Sequence, residues 1–272
     1  MTTRFAQVVI GPAGSGKSTY IKHAVEYYKS IKRVVHCVNL DPAADDLQYE
    51  PVIDVRTAIN VKEIMDTLGY GPNGALVHCM EELVSDMTWF DDQIGEHEYD
   101  YLLIDLPGQI ELFSHLPILP SLLAILKEKG YYLCAVFLLD SQFMIDPSKF
   151  LSGGLVALSA MTMLEIPHIN VLSKCDLLSI EQKELIDSYT EFDTDVLSSL
   201  VAKQPKIEKL TEKICELINS FNLLQFQMLD LKDNESLANL ETQIDILLQY
   251  FDNADMDDPE FEDPIVKKED DE

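Results

Sequence analysis

Residues Gly11 to Ser18 read G-P-A-G-S-G-K-S, which fills every fixed position of the pattern G-x-x-x-x-G-K-[ST]. The octet follows an apolar, β-rich run (Phe5, Val8, Val9, Ile10) and precedes a plausible helix, and this context restricts the fold more than any other feature of the chain. A strand must deliver the loop to the amino end of a helix, where backbone N–H groups and the positive end of the helix dipole converge. Phosphate binds in such a nest. The glycines allow positive φ and close approach of main chain to oxygen. On this reading Gly14, Ser15, Gly16, Lys17, Ser18 and Thr19 surround phosphates, Lys17 reaches the β- and γ-phosphates, and Ser18 coordinates Mg²⁺.

The rest of the chain supplies what such a loop needs. Strand-like runs are predicted at Phe5–Ile10, Val34–Leu40, Tyr101–Asp105, Leu133–Asp140, His168–Ser173 and Leu224–Leu229. Helical periods are predicted between them at Val61–Leu68, Ala75–Gln93, Ile118–Lys129, Phe150–Leu164, Ile207–Phe221 and Leu237–Phe251. This alternation, with several strands nearly continuous in apolar residues, predicts an α/β fold: a doubly wound, mostly parallel sheet of the P-loop NTPase type with helical insertions. In such sheets the ligand lies beyond the carboxyl ends of the strands, where Gly11, Asp41, Pro107 and Lys174 fall. The polar, poorly periodic stretch Glu181–Lys206, interrupted by Pro205, reads as a surface insertion.

Composition narrows the partners. The 272 residues carry a formal net charge of −28, so no basic patch is available for direct nucleic-acid binding. Eleven acidic residues against Lys267 and Lys268 follow Phe251, which predicts one domain over residues 1–251 and an acidic, disordered tail over 252–272. No run is long and apolar enough for a membrane span and no signal-peptide layout opens the chain, so a soluble, cytoplasmic protein without a membrane partner is expected. Five widely spaced cysteines without a C-x-x-C pair predict neither a disulfide framework nor a zinc site.

The remaining chemistry sits at strand ends. Asp105 closes Y-L-L-I-D and is followed by L-P-G, so its carboxylate can hold Mg²⁺ while the Gly108 N–H senses the γ-phosphate. At Ser173, Lys174, Cys175 and Asp176, the aspartate can accept from guanine N1–H and N2–H₂, a donor pair that adenine lacks, and the lysine stem can cover the purine. GTP is thus favoured over ATP, although Ser173 replaces the asparagine usual in GTPases. The only arginines are Arg4, Arg33 and Arg56, and the first two precede strands, at the end of the sheet away from the phosphates. An internal arginine finger is therefore Arg56 or absent. Asp41, Gln109 and Glu111 each remain able to orient or deprotonate an attacking water. Gly71-Pro72-Asn73-Gly74, between two helical stretches, reads by default as a turn.

Taken together, G-P-x-G-S-G-K-S-T, D-P-A, G-P-N, D-x-P-G-Q-x-E and [ST]-K-x-D resemble the GPN-loop GTPases over roughly Phe5 to Phe251. The resemblance implies a dimer, a heterodimer with a paralogous GPN-loop GTPase, in which the Gly71–Pro72–Asn73 loop reaches the partner's nucleotide and Asn73 acts in trans. It further implies GTP and Mg²⁺ as ligands and a role in assembly and nuclear import of RNA polymerase II, with contacts to its subunits or assembly factors. A related ATPase is less favoured, because the extra lysine carried early in the P-loop of partitioning ATPases is missing from Pro12-Ala13-Gly14-Ser15. A scaffold that holds GTP with negligible turnover stays open.

Overall fold

β1 (Arg4–Ile10) organises the structure because its side chains alternate between two cores. Ala6, Val8 and Ile10 enter one apolar cluster, whereas Phe5 and Val9 enter a second on the opposite face. A strand buried on both faces is also paired on both edges, in parallel with β4 (Tyr101–Asp105) and with β5 (Tyr131–Asp140). β2 (His36–Asn39) and the two-residue β3 (Ile53–Asp54) extend the sheet beyond β4. On the other side β6 (His168–Ser173) and β7 (Phe226–Met228) follow β5, so the order is β3-β2-β4-β1-β5-β6-β7 with every pairing parallel. The computed structural model describes residues 3–95, 100–114, 116–189, 197, 205–221 and 224–253.

Helices cover both faces, as a parallel sheet requires. α1 (Lys17–Ser30) packs Tyr20, Ala24 and Tyr28 on the Phe5–Val9 face. α2 (Val61–Leu68) and α3 (Pro72–Ser85) share a small cluster of Val61, Ala75, Leu76 and Cys79, and α4 (Thr88–Gly95) brings Phe90 to the Ala6–Ile10 face. α5 (Ile110–Ser114), α6 (Ile118–Glu128), α7 (Ser141–Met144) and α8 (Pro147–Leu164) complete that face with Leu112, Leu122, Met144 and Phe150. α9 (Ile180–Asp187) and α10 (Pro205–Phe221) follow β6, while α11 (Asn234–Leu247) and α12 (Tyr250–Asn253) close the chain over α1.

Several boundaries differ from the periodicity for local reasons. The helical period over Ala75–Gln93 is two helices, because Asp86 is extended (φ −135°, ψ 91°) and its carboxylate accepts from the Thr88 N–H and hydroxyl. Gln249, at φ 55°, separates α11 from α12 within the predicted Leu237–Phe251 helix. Gly71 to Gly74 is not a plain turn: Gly71 caps α3, and Pro72 and Asn73 form its first turn, where proline's missing N–H removes nothing from the helix. Glu181 falls in α9, whose start is fixed by a capping box between Ser179 and Gln182, so the expected insertion opens as a helix. Most of the remainder of that stretch, and the acidic tail apart from Asp252 and Asn253, lie outside the described residues.

A polar group stands at the centre of the α1–α11 face. Gln7 of β1 and Glu241 of α11 are both fully buried, and Glu241 accepts from Gln7 Nε2 (2.8 Å), Tyr20 (2.9 Å) and Tyr28 (2.6 Å). Beside it Arg33 donates twice to Asp245 at 2.8 Å and lies over Tyr250, 4.0 Å from the ring centroid. Burial raises the Glu241 pKa to about 7, although its three donors favour the carboxylate. The folded chain therefore holds this proton where the unfolded chain has lost it, so stability present below pH 4.5 declines as pH rises to about 7. Chemical denaturation across this range is expected to show a decline of up to about 3 kcal/mol from this group, absent in Glu241→Gln.

Candidate functional site

Five strands end at one rim. Beyond β1 lies Gly11, beyond β2 Asp41, at the end of β4 Asp105, at the end of β5 Asp140 and beyond β6 Lys174. Gly11, Gly14 and Gly16 take φ of 144°, 78° and 92°, which makes the loop after β1 a continuous arch ahead of α1. The arch is wedged in place. A Cβ at Gly11 would lie 2.3 Å from the Leu138 carbonyl oxygen, and one at Gly108 would lie 2.7 Å from Ala13 N and 2.9 Å from Lys17 Nζ. The Ser173 hydroxyl donates to Ser15 O (2.6 Å) and lies 3.1 Å from Leu139 O, tying β6 to the loop. Ser173 therefore braces the phosphate loop with the hydroxyl expected beside a base.

Lys17 is buried and its Nζ donates to the Gly11 and Pro12 carbonyls at 3.1 and 3.3 Å. Burial lowers its pKa against the pull of the Asp105 and Asp41 carboxylates. Ser18 donates to Asp105 Oδ2 at 2.7 Å, and so does the Tyr49 hydroxyl at 2.9 Å. Asp105 Oδ1 is buried without a hydrogen-bond partner, as is Ser15 Oγ. Burial raises the Asp105 pKa, while Ser18, Tyr49 and Lys17 oppose the rise. Thr19 is half-buried in the first turn of α1, its carbonyl 3.0 Å from His23 Nδ1.

Asp41 belongs to a stiff segment after β2. Asn39 exchanges hydrogen bonds with the Asp41 main chain and donates to Asp54 at 2.9 Å, and the Asp41 carboxylate accepts from Ala43 N at 2.9 Å. Burial raises the Asp41 pKa against Ala43 N–H, Lys17 and Arg56. Arg56 is held by both Asp54 oxygens and donates to Ala44 O, so its guanidinium clamps this segment. It is not a free finger.

Gln109 follows Gly108 and donates through Nε2 to Asn73 Oδ1 at 3.2 Å within the same chain. Glu111 lines the adjoining cleft of about 390 Å³ together with Tyr70, Asn73, His78 and Gln109. Gly71, Pro72 and Asn73 therefore open a helix whose amino end faces the residues that follow the D-L-P-G turn. On the base side, Lys174 adopts φ 60° and pairs with Asp140 Oδ2 at 2.7 Å, its stem beside Gly16. Asp176 lies in the next turn, 3.3 Å from Lys232, and Cys175 N donates to Leu229 O, so the loop after β7 reaches this corner.

Tyr49 and Asp140 were not marked by any motif. Tyr49 sits in an irregular segment whose contacts no spacing encodes, whereas Asp140 carries the readable signature of a helix cap, accepting from Gln142 N at the start of α7.

A parallel sheet with a glycine arch on its central strand, an invading lysine, and a hydroxyl bonded to a carboxylate on the neighbouring strand defines a P-loop nucleotide-binding protein. The family model described as "Conserved hypothetical ATP binding protein" matches residues 9–250. Similar proteins include "GPN-loop GTPase 3" of Dictyostelium discoideum, 44% identical across 95% of this chain and 92% of the relative. The protein of the same name from Danio rerio is 42% identical across 94% and 92%. A crystal structure of a GTPase from Pyrococcus abyssi in its apo form superposes with a TM-score of 0.74 at 30% identity, covering 92% of this chain and 99% of that one. The chain belongs to the GPN-loop GTPase family.

Gly108→Ala places a methyl group against the Ala13 main chain, which cannot move aside as a side-chain tip can. Chemical denaturation is expected to show a loss of about 1–3 kcal/mol, larger than for Gly14→Ala, whose site is sterically open and carries only backbone strain.

Proposed function

We propose that this protein binds GTP with Mg²⁺ and hydrolyses it as a conformational timer. The observation that carries the proposal is the buried, unpartnered Asp105 Oδ1 beside Ser18 and Lys17, beneath an arch of three positive-φ glycines. A carboxylate oxygen left without a donor suits a divalent cation, and the Ser18 hydroxyl supplies a second hard oxygen. Ser18 and Asp105 would hold Mg²⁺, which when bound neutralises charge on the phosphate oxygens. Among the described residues no three His, Cys, Asp or Glu side chains gather into a metal site, in keeping with an ion that shares its oxygens with phosphate and water.

The other roles follow from position. Main-chain N–H groups of Gly14 to Thr19 cradle the phosphates, with Lys17 as the cation among them. Gly108, packed against Lys17, offers its N–H to the γ-phosphate. Gln109, which lies beside Asn73 in the unpartnered chain, orients the attacking water. Asp41 and Glu111 flank this region as alternative water partners. Asp176 accepts from guanine, Lys174 covers the base over its stem, and Ser173 supports the loop behind both. GTP is preferred to ATP for the donor pair that guanine shows Asp176, and the relatives named as GTPases support that choice over the family model's description.

The family resemblance supports a dimer with a paralogous GPN-loop GTPase, in which Asn73 reaches the partner's nucleotide. It also supports a role in assembly and nuclear import of RNA polymerase II, exercised by a cytoplasmic protein that shuttles to the nucleus. Among the described residues no helix is long and apolar enough to cross a membrane.

Titration calorimetry with GTP, GDP and ATP tests the ligand: GTP is expected to bind more tightly than ATP, and Lys17→Ala to lose at least about tenfold in affinity. Asp176→Asn should move preference toward xanthosine triphosphate, since xanthine replaces the N2 donor with an acceptor that an amide can match. Tighter ATP binding, or unchanged guanine preference in that variant, would overturn the assignment. Single-turnover phosphate release, with and without a paralogous subunit, separates timer from scaffold; Asn73→Ala and Gln109→Ala are each expected to slow it on the order of a hundredfold.

A further inference from the structure

Asp105 is held from two sides. Along β4 the alternation that puts Tyr101 and Leu103 on the face covered by α1 puts Asp105 there as well. From α1 the Ser18 hydroxyl donates to Oδ2 at 2.7 Å. The second donor comes from another part of the chain: the Tyr49 hydroxyl reaches the same oxygen at 2.9 Å from the irregular segment that follows β2, the neighbour of β4. A carboxylate oxygen has about two lone-pair sites, so these donors fill Oδ2, and anything further must come to Oδ1, which is buried and unpaired.

Two features separate the Tyr49 contact from plain packing. The ring packs against the apolar cluster on the Phe5–Val9 face, which accounts for the ring but not for its hydroxyl. Tyr49 is half-buried, so water is within its reach, yet the hydroxyl lies on a carboxylate that is 2% exposed. Moreover, among the described residues the Tyr49 hydroxyl makes the one hydrogen bond that joins residues 46–51 to the rest of the chain. On either side the backbone is fixed: Arg56 donates to Ala44 O and Asp45 O, and Val52 N donates to Cys37 O.

We propose that Tyr49 is a positioning residue for the cation: with Ser18 it fixes the Asp105 carboxylate so that Oδ1 is kept for Mg²⁺ or its water, and it thereby makes the order of residues 46–51 depend on that ion. The proposal rests on the reading of this site as one for Mg²⁺ and GTP. Groups that orient a metal-holding carboxylate change metal affinity by about 10- to 100-fold. The coupling is reciprocal, so whatever factor Tyr49 adds to cation affinity, the cation returns to the Tyr49 contact. Any loosening is confined to the stretch between the Arg56 clamp and Val52, which that contact alone ties down.

The test uses the full chain, with Mg²⁺ and a non-hydrolysable GTP analogue as probes. Tyr49→Phe removes the hydroxyl and keeps the ring. Titration of Mg²⁺ into analogue-saturated protein, followed by calorimetry, is expected to give a Mg²⁺ dissociation constant at least about tenfold higher in Tyr49→Phe, with analogue affinity in EDTA changed by less than about twofold. A merely structural role would weaken both together. On the wild-type chain, Mg²⁺ added to the analogue complex is expected to slow amide hydrogen exchange at residues 46–50, an effect absent in Tyr49→Phe. Mg²⁺ binding as tight in the folded variant as in the wild type, or tighter, would overturn the proposal and leave the nucleotide reading standing. Should the variant fail to fold, the wild-type exchange decides, and amides at 46–50 indifferent to Mg²⁺ refute the coupling. A wild-type chain that retains no analogue, or whose analogue affinity ignores Mg²⁺, would remove the Mg²⁺ and GTP reading and this proposal with it.

Discussion

A Cβ atom at Gly11 would sit 2.3 Å from the Leu138 carbonyl oxygen, and one at Gly108 would sit 2.7 Å from the Ala13 main chain; the phosphate loop is held by backbone pressed against backbone. That close approach is possible only because β1 lies between β4 and β5, so the ends of both neighbours converge on the loop that β1 delivers. The Ser173 hydroxyl adds a tie from β6 to the Ser15 carbonyl. The arch is thereby shaped before any ligand arrives, which lowers the conformational cost of gathering several N–H donors around an anion.

Charge within the site is arranged on the same frame. Asp105, Asp41 and Lys17 are all substantially buried, and each is shifted first by burial and then partly restored by its neighbours. Two carboxylates and one ammonium in a low-dielectric pocket leave a negative excess that a divalent cation can balance. No arginine stands free in this region. Arg33 is committed to Asp245, Arg56 to Asp54, and Arg4 lies over Tyr131 at the far end of the sheet. The D-L-P-G turn is approached instead by the Lys17 ammonium, by the Ser18 and Tyr49 hydroxyls, and by Asn73, which the first turn of α3 brings to Gln109.

Buried polarity is treated in two ways. On the α1–α11 face, Glu241 is satisfied by three donors and locks β1, α1 and α11 together. At the carboxyl ends of the strands, Asp105 Oδ1 and Ser15 Oγ stay unpaired beside the phosphate loop. A fully paired network stabilises one arrangement, whereas unpaired groups keep binding capacity for something outside the chain.

The parallel, doubly wound sheet was legible because buried strands read as continuous apolar runs and the G-x-x-x-x-G-K-S octet tolerates few other folds. The loop, Asp105 and the Ser173–Asp176 turn could be placed at strand ends for the same reason. β3 escaped because two residues carry no period, and the break at Asp86 escaped because an aspartate that caps one helix and starts the next looks polar and helical in sequence. Sequence by itself determined which residues sit on the backbone arch and which strands carry carboxylates to its rim, since both follow from local spacing. Only the tertiary structure decided that Tyr49 reaches Asp105, that Arg56 is tied to Asp54, and that Ser173 supports the loop. Those contacts join residues whose separation along the chain sets no distance in space, so they exist only once the strands have been ordered and the helices packed over them.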